Sequence, residues 1–520
     1  MPEPLLPAVS RRAVLGSLGA LAVVPLLGAC GPESTGPGGE ATPTSGGAIV
    51  LGRGDEIASF DPYNHASGNF PMLNTLYSYL IRYTADYQPI PDIAERWTIA
   101  EDRRSMTIEL RETTFHDGSP LTADDIVTGV KRAKDPGTGL SQTSSTSFIE
   151  SATAAGARTV KLTFGDAVNE DRIFDFMAWF PVVQGKANQP DSLKKTPAGC
   201  GPYALESYQP GNELVLRRFE HYWEPDRPYL DTVTFRFLGS KDSAVVALEA
   251  GDVDGALALD GRHYARLKDR FDIVTGAPGA LIVQFSMNVN LPPFDNKYVR
   301  QALARAINRD RMVEQVQFGV GQAVYSIFPP GSPAFDKTYL DSAGFDLQAA
   351  KAPLDKASGV SLKASCVINQ IAEYNARNLE IMQEDLASIG FELTIDAKDA
   401  AGAAETYQSG KAQCYMGASS NSFRGATGMT SNTAFRLANN PMLKDNVPAA
   451  YRAAVAKADA AIEPAAVTTA TKELTEVIMD ECFAVGVYTL EQPSAISREF
   501  HGYDRMVADH PLLTQTYRTA

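Results

Sequence analysis

Apolar and polar positions divide the chain into a short greasy leader, a polar connector and a long body that alternates strand and helix periods. From Ala13 to Leu27 the residues are mostly apolar, interrupted by Gly16, Gly19 and Pro25. That run is shorter than the ~20 residues a membrane-spanning helix needs. Gly31 to Gly47, GPESTGPGGEATPTSGG, has no apolar period and reads as a flexible, partly extended linker. The body opens at Ala48 with a short buried strand, AIVLG. Asp61-Pro62 breaks regular structure, and helical spacing returns through Met72, Leu73, Leu76 and Leu80. Met106, Ile108 and Leu110 alternate with polar residues and predict a half-buried strand. After the Asp117-Gly118 turn, Thr122 opens a helix with Asp125 as its capping-box partner and Ile126, Val127 and Val130 as its apolar face. A Ser/Thr/Gly-rich loop from Asp135 to Ser147 precedes a strand at Thr159 to Phe164.

Gly199-Cys200-Gly201-Pro202-Tyr203 predicts a tight turn, and Val233, Phe235 and Phe237 alternate in another strand. Asp242 to Leu248 is helical, with Gly251 as its stop. Strand, helix, glycine, strand is the rhythm of an α/β sheet. The second half repeats it. Asp295 is expected to cap a helix through Val299, Leu303 and Ile307, followed by a second through Met312, Val313 and Val316 to Gly319. Leu362, Ala364, Cys366 and Ile368 form a strand, and Leu379, Met382, Leu386 and Ile389 the buried face of a helix ending at Gly390. Phe391, Leu393 and Ile395 return as a strand, completing a βαβ unit.

Charge changes the reading of the leader. Arg11 and Arg12 precede the apolar run, and small residues close it at Cys30, which are the three parts of an export signal. Leu27-Gly28-Ala29-Cys30 resembles the bacterial lipobox, in which the cysteine is lipidated, as with palmitate, and becomes the new N-terminus. Ser-Arg-Arg-Ala-Val-Leu also resembles a twin-arginine signal, although a general signal carries positive charge here too. The expected location is therefore extracytoplasmic, in the cell envelope, lipid-anchored to the cell membrane.

At 520 residues the chain suggests two or three domains. Its 44% hydrophobic and 21% charged residues are ordinary for a globular protein. A net charge of −15 argues against nucleic acid as a partner. Of the five cysteines, four remain if Cys30 carries lipid, and four allow three pairings. None lies in a CxxC pair, which disfavours a zinc ribbon or a redox motif.

Enzyme motifs are missing. There is no GxSxG elbow, no phosphate-binding loop and no HExxH, and the six histidines are scattered. The carboxylates Asp124-Asp125 and Asp252/Asp254 sit at helix starts and turns, where capping explains them better than acid–base work. No enzyme activity, cofactor or metal is expected.

Several segments together resemble the extracytoplasmic solute-binding proteins of family 5, which serve ABC importers for oligopeptides, dipeptides, nickel complexes, haem or glutathione. They are Phe115 to Asp125 (FHDGSPLTADD), Gly201-Pro202-Tyr203 with Tyr222-Trp223, Tyr229-Leu230-Asp231, Ala250 to Asp254, Met287-Asn288, Pro293-Phe294-Asp295 and Val299 to Asp310. The resemblance implies an α/β, two-lobed, periplasmic-binding-protein-like fold (class II, cluster C type) with an extra domain packed on lobe I. Lobe I would be 47–76, 196–275 and 488–520, domain II 77–195, and lobe II 276–487. A hinge closure would trap a peptide-like or other polar organic solute and present it to permease and ATPase subunits, the receptor being a monomer. The competing classes are a secreted lipoprotein hydrolase and a non-transporting sensory or adhesion receptor.

The family places cleft-facing side chains after Asp61-Pro62, which here are His65, Asn69 and Phe70. A second stretch, Cys414 to Arg424, runs from a strand into small polar residues, with Met416, Ser420, Asn421, Phe423 and Arg424 as ligand candidates. Peptide binders of the family often carry an Asp-Pro-Asp-like sequence there, whose acid holds an amino group. Ser420-Asn421-Ser422 departs from it and disfavours recognition of a free α-amine by that route. Arg424 supplies a planar donor fork suited to carboxylate or phosphate, or else pairs with a neighbour. Nickel chelates are disfavoured for want of a histidine cluster near Phe423. Cys366 and Cys414, on or beside lobe II strands, are expected to lie close enough for a disulfide.

Overall fold

The computed structural model describes the chain from residue 43 onward, except 64–69, 139, 141, 277–278, 280, 326–327, 329, 340–343, 371, 421–422, 431–433, 438, 506–512, 520 and the side chains of Phe70 and Ser144. The export signal, Cys30 and most of the linker therefore lie outside the described residues, as do His65, Asn69 and Asn421.

Three sheets organise the body. The first has seven strands, in the order Asp272–Val274, Ser494–Ile496, Gly255–Ala256, Ala48–Arg53, Thr232–Phe237, Glu213–Arg218 and Tyr203–Gln209. Its central strand, Ala48–Arg53, is parallel to both neighbours. The second has five strands, in the order Glu392–Lys398, Lys363–Asn369, Cys414–Ser420, Leu281–Met287 and Ala484–Thr489. There Lys363–Asn369 is parallel to both neighbours. The third is a four-stranded antiparallel sheet within residues 94–164. These sheets are the frames of lobe I, lobe II and the small domain. The chain passes between the first two sheets by two crossovers, from Val274 to Leu281 and from Thr489 to Ser494. The return falls after Thr489, a little beyond the expected 488, because Tyr488 and Thr489 still pair with Val283 and Ile282.

The helices obey the local rules that predict them. Thr122 and Asp125 form the expected capping box on Ala123–Lys134. Gly251 ends Lys241–Ala250 in the left-handed region, at φ +80, where a Cβ would be strained. One cap shifts. Asp295 does not cap the helix Lys297–Arg305; Asn296 does, accepting from the Tyr298 N–H. The Phe294 and Asp295 amides both bond to the Leu291 carbonyl, which keeps the chain in a turn for one more residue. The polar stretch 135–147 is not wholly loop, since it contains the short turns Pro136–Thr138 and Gln142–Ser145.

Apolar burial divides the molecule differently from its sheets. One continuous cluster joins lobe I side chains (Leu51, Leu214, Phe235) to small-domain side chains (Ile108, Ile126, Phe180). Lobe II has its own clusters, one around Phe285, Leu303, Cys366 and Met382 and another around Phe435, Tyr451 and Phe483. Among the described residues, no buried apolar cluster spans lobe II and the rest. Apolar burial at about 25 cal/mol per Å² is the main cohesive term, and by it lobe I and the small domain share a core that lobe II does not enter.

The family signature around Phe115 serves that shared core. His116 Nε2 lies 3.0 Å from the Gly201 carbonyl, and its ring meets Phe219 edge-on. Gly201 and Gly199 are pressed against the Leu76 backbone so closely that a Cβ would collide with it. Burial lowers the His116 pKa to about 4, so the ring is neutral at pH 7.

Candidate functional site

Parallel strands deliver loops from their C-terminal ends, and ligands bind where such ends open onto a crevice. In lobe I, Ala48–Arg53 runs on toward Phe60 and Asp61, and Gly255–Ala256 toward Asp260 and Gly261. In lobe II, Lys363–Asn369 leads to the N-terminus of the helix Glu373–Ala387, and Cys414–Ser420 to Phe423 and Arg424. These four ends belong to the two bodies that do not share a core. They meet at specific points. Gly261 lies so near the Gln317 carbonyl that a Cβ would overlap it. Arg262 Nη1 is 3.8 Å from Glu373 Oε2. Tyr374 lies on the lobe II side of this seam, and burial, reinforced by Tyr488, Tyr415 and the lobe I carboxylate Asp260, raises its hydroxyl pKa.

The hinge beside this crevice is cross-braced. Glu491, on one crossover, accepts from the Gly279 N–H of the other and from the Thr489 hydroxyl. Burial raises its pKa despite those bonds and the nearby Arg505. Arg505 donates to the Gln492 carbonyl.

In lobe I the chain around Asp61 is anchored to the small domain. Asp61 is 6% exposed and takes both Nη groups of Arg132, itself 8% exposed, from the small domain. Asp61 also accepts from the Tyr63 N–H, and Arg132 reaches Asn188 Oδ1 at 2.8 Å. Phe70 opens the helix Phe70–Leu76.

The second candidate stretch is placed differently from its expected role. Met416 is 0% exposed and packs in the lobe II core, so it forms no cleft wall. Strand alternation accounts for this, since Cys414 and Met416 share one buried face. Ser420 ends the strand opposite Leu281, at the mouth of a crossover. Phe423 meets Trp179 of the small domain at 6.0 Å. Arg424 Nε contacts Asp171 Oδ1 at 2.6 Å and its Nη1 donates to the Tyr87 carbonyl at 2.6 Å. Its fork is thus engaged by the protein's own acceptors.

Asp171 and Asp175 are functional candidates that motif reading missed. Asp175 is 4% exposed and accepts from the N–H groups of Arg424 (2.7 Å) and Gly425 (3.1 Å) and from the Tyr83 hydroxyl (2.9 Å). Burial raises its pKa to about 7 against the pull of those donors, with Asp171 adding to the rise. The signal was present, because Asp175 interrupts the apolar face of Ile173, Phe176 and Met177 on the helix Glu170–Ala178.

The cysteine expectation is corrected. Cys366 and Cys414 stand opposite each other on parallel strands, yet both are free thiols, as are Cys200 and Cys482. Their side chains share one face of the sheet and the two thiols meet as a hydrogen-bonded pair rather than as a disulfide. Burial and the Cys366 thiol hold the Cys414 pKa well above its usual value.

Two α/β lobes, joined by two crossovers and meeting along a seam at their strand ends, define a periplasmic-binding-protein fold. The family model for bacterial extracellular solute-binding proteins, family 5 Middle, matches residues 88–440, and the chain belongs to that family. It is 26% identical over 366 residues to the glutathione-binding protein GsiB of Escherichia coli O6:K15:H31, covering 68% of this chain and 70% of that one. Among solved structures, it is similar to the periplasmic binding protein AgaA from A. tumefacien R10 in complex with agropinic acid (TM-score 0.79, 21% identity, 91% of this chain and 99% of that one). It is also similar to DppA from Helicobacter pylori with the peptide STSA (TM-score 0.78, 19% identity, 92% and 99%). NikA from Brucella suis with Fe(III)-EDTA shares the fold as well (TM-score 0.80, 16% identity, 91% and 100%).

Proposed function

We propose that the chain is the substrate-binding lipoprotein of an ABC importer, capturing a peptide-like or other polar organic solute in the interlobe crevice by hinge closure and delivering it to a membrane permease. The observation that carries this reading is the division of the apolar core, which leaves lobe II free to move against lobe I and the small domain together. A solute touching both bodies favours the shut arrangement by its differential contacts. Lipidation at Cys30 would keep the receptor near its permease.

The solute class follows from what borders the crevice. By the family resemblance, His65, Asn69 and Phe70 of lobe I and Ser420 and Asn421 of lobe II are taken as bordering it. Tyr374 and the positive end of the helix Glu373–Ala387 face the seam. This set is rich in neutral hydrogen-bonding groups. Arg424, held by Asp171, is not counted among them. Such a lining suits amides, hydroxyls and carboxylates. The test is a thermal-shift screen of peptides, glutathione, sugar–amino acid conjugates and metal chelates, paired with uptake in a deletion strain. A bound solute adds RT ln(1 + [L]/Kd) of stability. No shift with any library, together with unimpaired uptake by the deletion strain, would sink the proposal.

A further inference from the structure

Arg424 and its neighbours do something that solute capture alone does not require. The helix Glu170–Ala178 of the small domain offers two carboxylates one turn apart, Asp171 and Asp175, to the start of the short lobe II helix Ala426–Met429. Asp171 takes the Arg424 guanidinium. Asp175 takes the Arg424 and Gly425 N–H groups, one on each oxygen. The fit is close. A Cβ on Gly425 would fall 2.6 Å from the Asp171 Cβ, and one on Gly428 would overlap Asp175. From the lobe II side, Ser332 Oγ holds the Arg424 carbonyl at 3.0 Å. Lobe II has no apolar core in common with the small domain, and its backbone joins lobe I only through the two crossovers among the described residues. Any rotation about those crossovers that parts lobe II from the small domain has to break this set of contacts.

We propose that Arg424–Gly425 and the Asp171/Asp175 pair form a latch that holds lobe II against the small domain in the absence of solute, and so sets how readily the crevice closes. The inference rests on the hinge-closure reading above. It makes the small domain the counter-jaw of the clamp, and Arg424 a positioning residue that bears on affinity without touching solute.

The test uses the ligand-free protein with dyes at Asp166→Cys in the small domain and Asp445→Cys in lobe II, both exposed sites, the four described native cysteines being buried. Single-molecule energy transfer reads the distance between them. Arg424→Ala should move most molecules to a longer distance, and Asp171→Asn, which perturbs folding least, should do the same. Distributions unchanged in both Arg424→Ala and Asp171→Asn overturn the latch. That result does not bear on whether solutes shift the melting temperature, so the binding reading stands or falls separately.

Discussion

The small domain meets its two neighbours through seams of opposite character. Toward lobe I the seam is an apolar core, with Phe180 packed on Tyr63 and with the Asp61–Arg132 pair almost wholly excluded from water. Toward lobe II it is mainly polar, with Arg424 and Asp171 about one-fifth exposed, backbone amides docked on Asp175 and a single aromatic contact of Phe423 on Trp179 among the described residues. A seam that buries hydrocarbon cannot open without a large penalty. One made of hydrogen bonds exchanges them for water at a net cost near 1 kcal/mol each. The contrast assigns permanence to the first and mobility to the second.

Mutations at the two seams should separate accordingly. The largest effect is expected for Arg132→Ala, which strands the buried Asp61 carboxylate and should cost about 3–5 kcal/mol in chemical denaturation. Phe180→Ala should cost a similar ~3–5 kcal/mol by opening a cavity in the shared core. If either proves neutral, the permanent seam is misplaced. Acid should then distinguish the seams by sign. The His116 pKa lies near 4 when folded and near 6.5 when free. The unfolded chain therefore binds the extra proton, and this contribution, up to about 3 kcal/mol, is present above pH 6.5 and lost as pH falls toward 4. His116→Gln should flatten that part of the acid unfolding curve, whereas Asp175 acts in the opposite direction over pH 4 to 7. The smallest effect belongs to the second ion pair across the mobile seam, Arg172 to Asp459 at 3.9 Å. Asp459→Asn should change the melting free energy by no more than about 0.5 kcal/mol.

The same contrast separates what could be read in the sequence from what could not. Strand and helix periods placed the βαβ unit of lobe II, the Thr122–Asp125 capping box and the Gly251 stop, because each is encoded within a few residues. The family pattern supplied the two-lobed plan. Met416 looked like a cleft wall because an apolar residue beside a polar loop is equally consistent with the core, and only its neighbours on the sheet decide between them. Arg424 reads in the sequence as either a solute-binding fork or a paired cation, and only the fold decides for pairing, because its partner Asp171 lies in a distant part of the chain. Cys366 and Cys414 lie opposite each other on neighbouring strands, as a pairing needs, yet both remain thiols. Local rules thus recover elements, while seams depend on long-range encounters between side chains that each have an innocent local reading.

The central claim is capture by closure. Its most direct test measures melting temperature and the Asp166–Asp445 dye separation together in the Arg424→Ala protein, whose latch is released, while a panel of peptides, glutathione, sugar–amino acid conjugates and metal chelates is added. The account predicts that a solute raising the melting temperature also shortens that separation in the same concentration range. A solute that stabilises the protein while leaving the separation unchanged would contradict it.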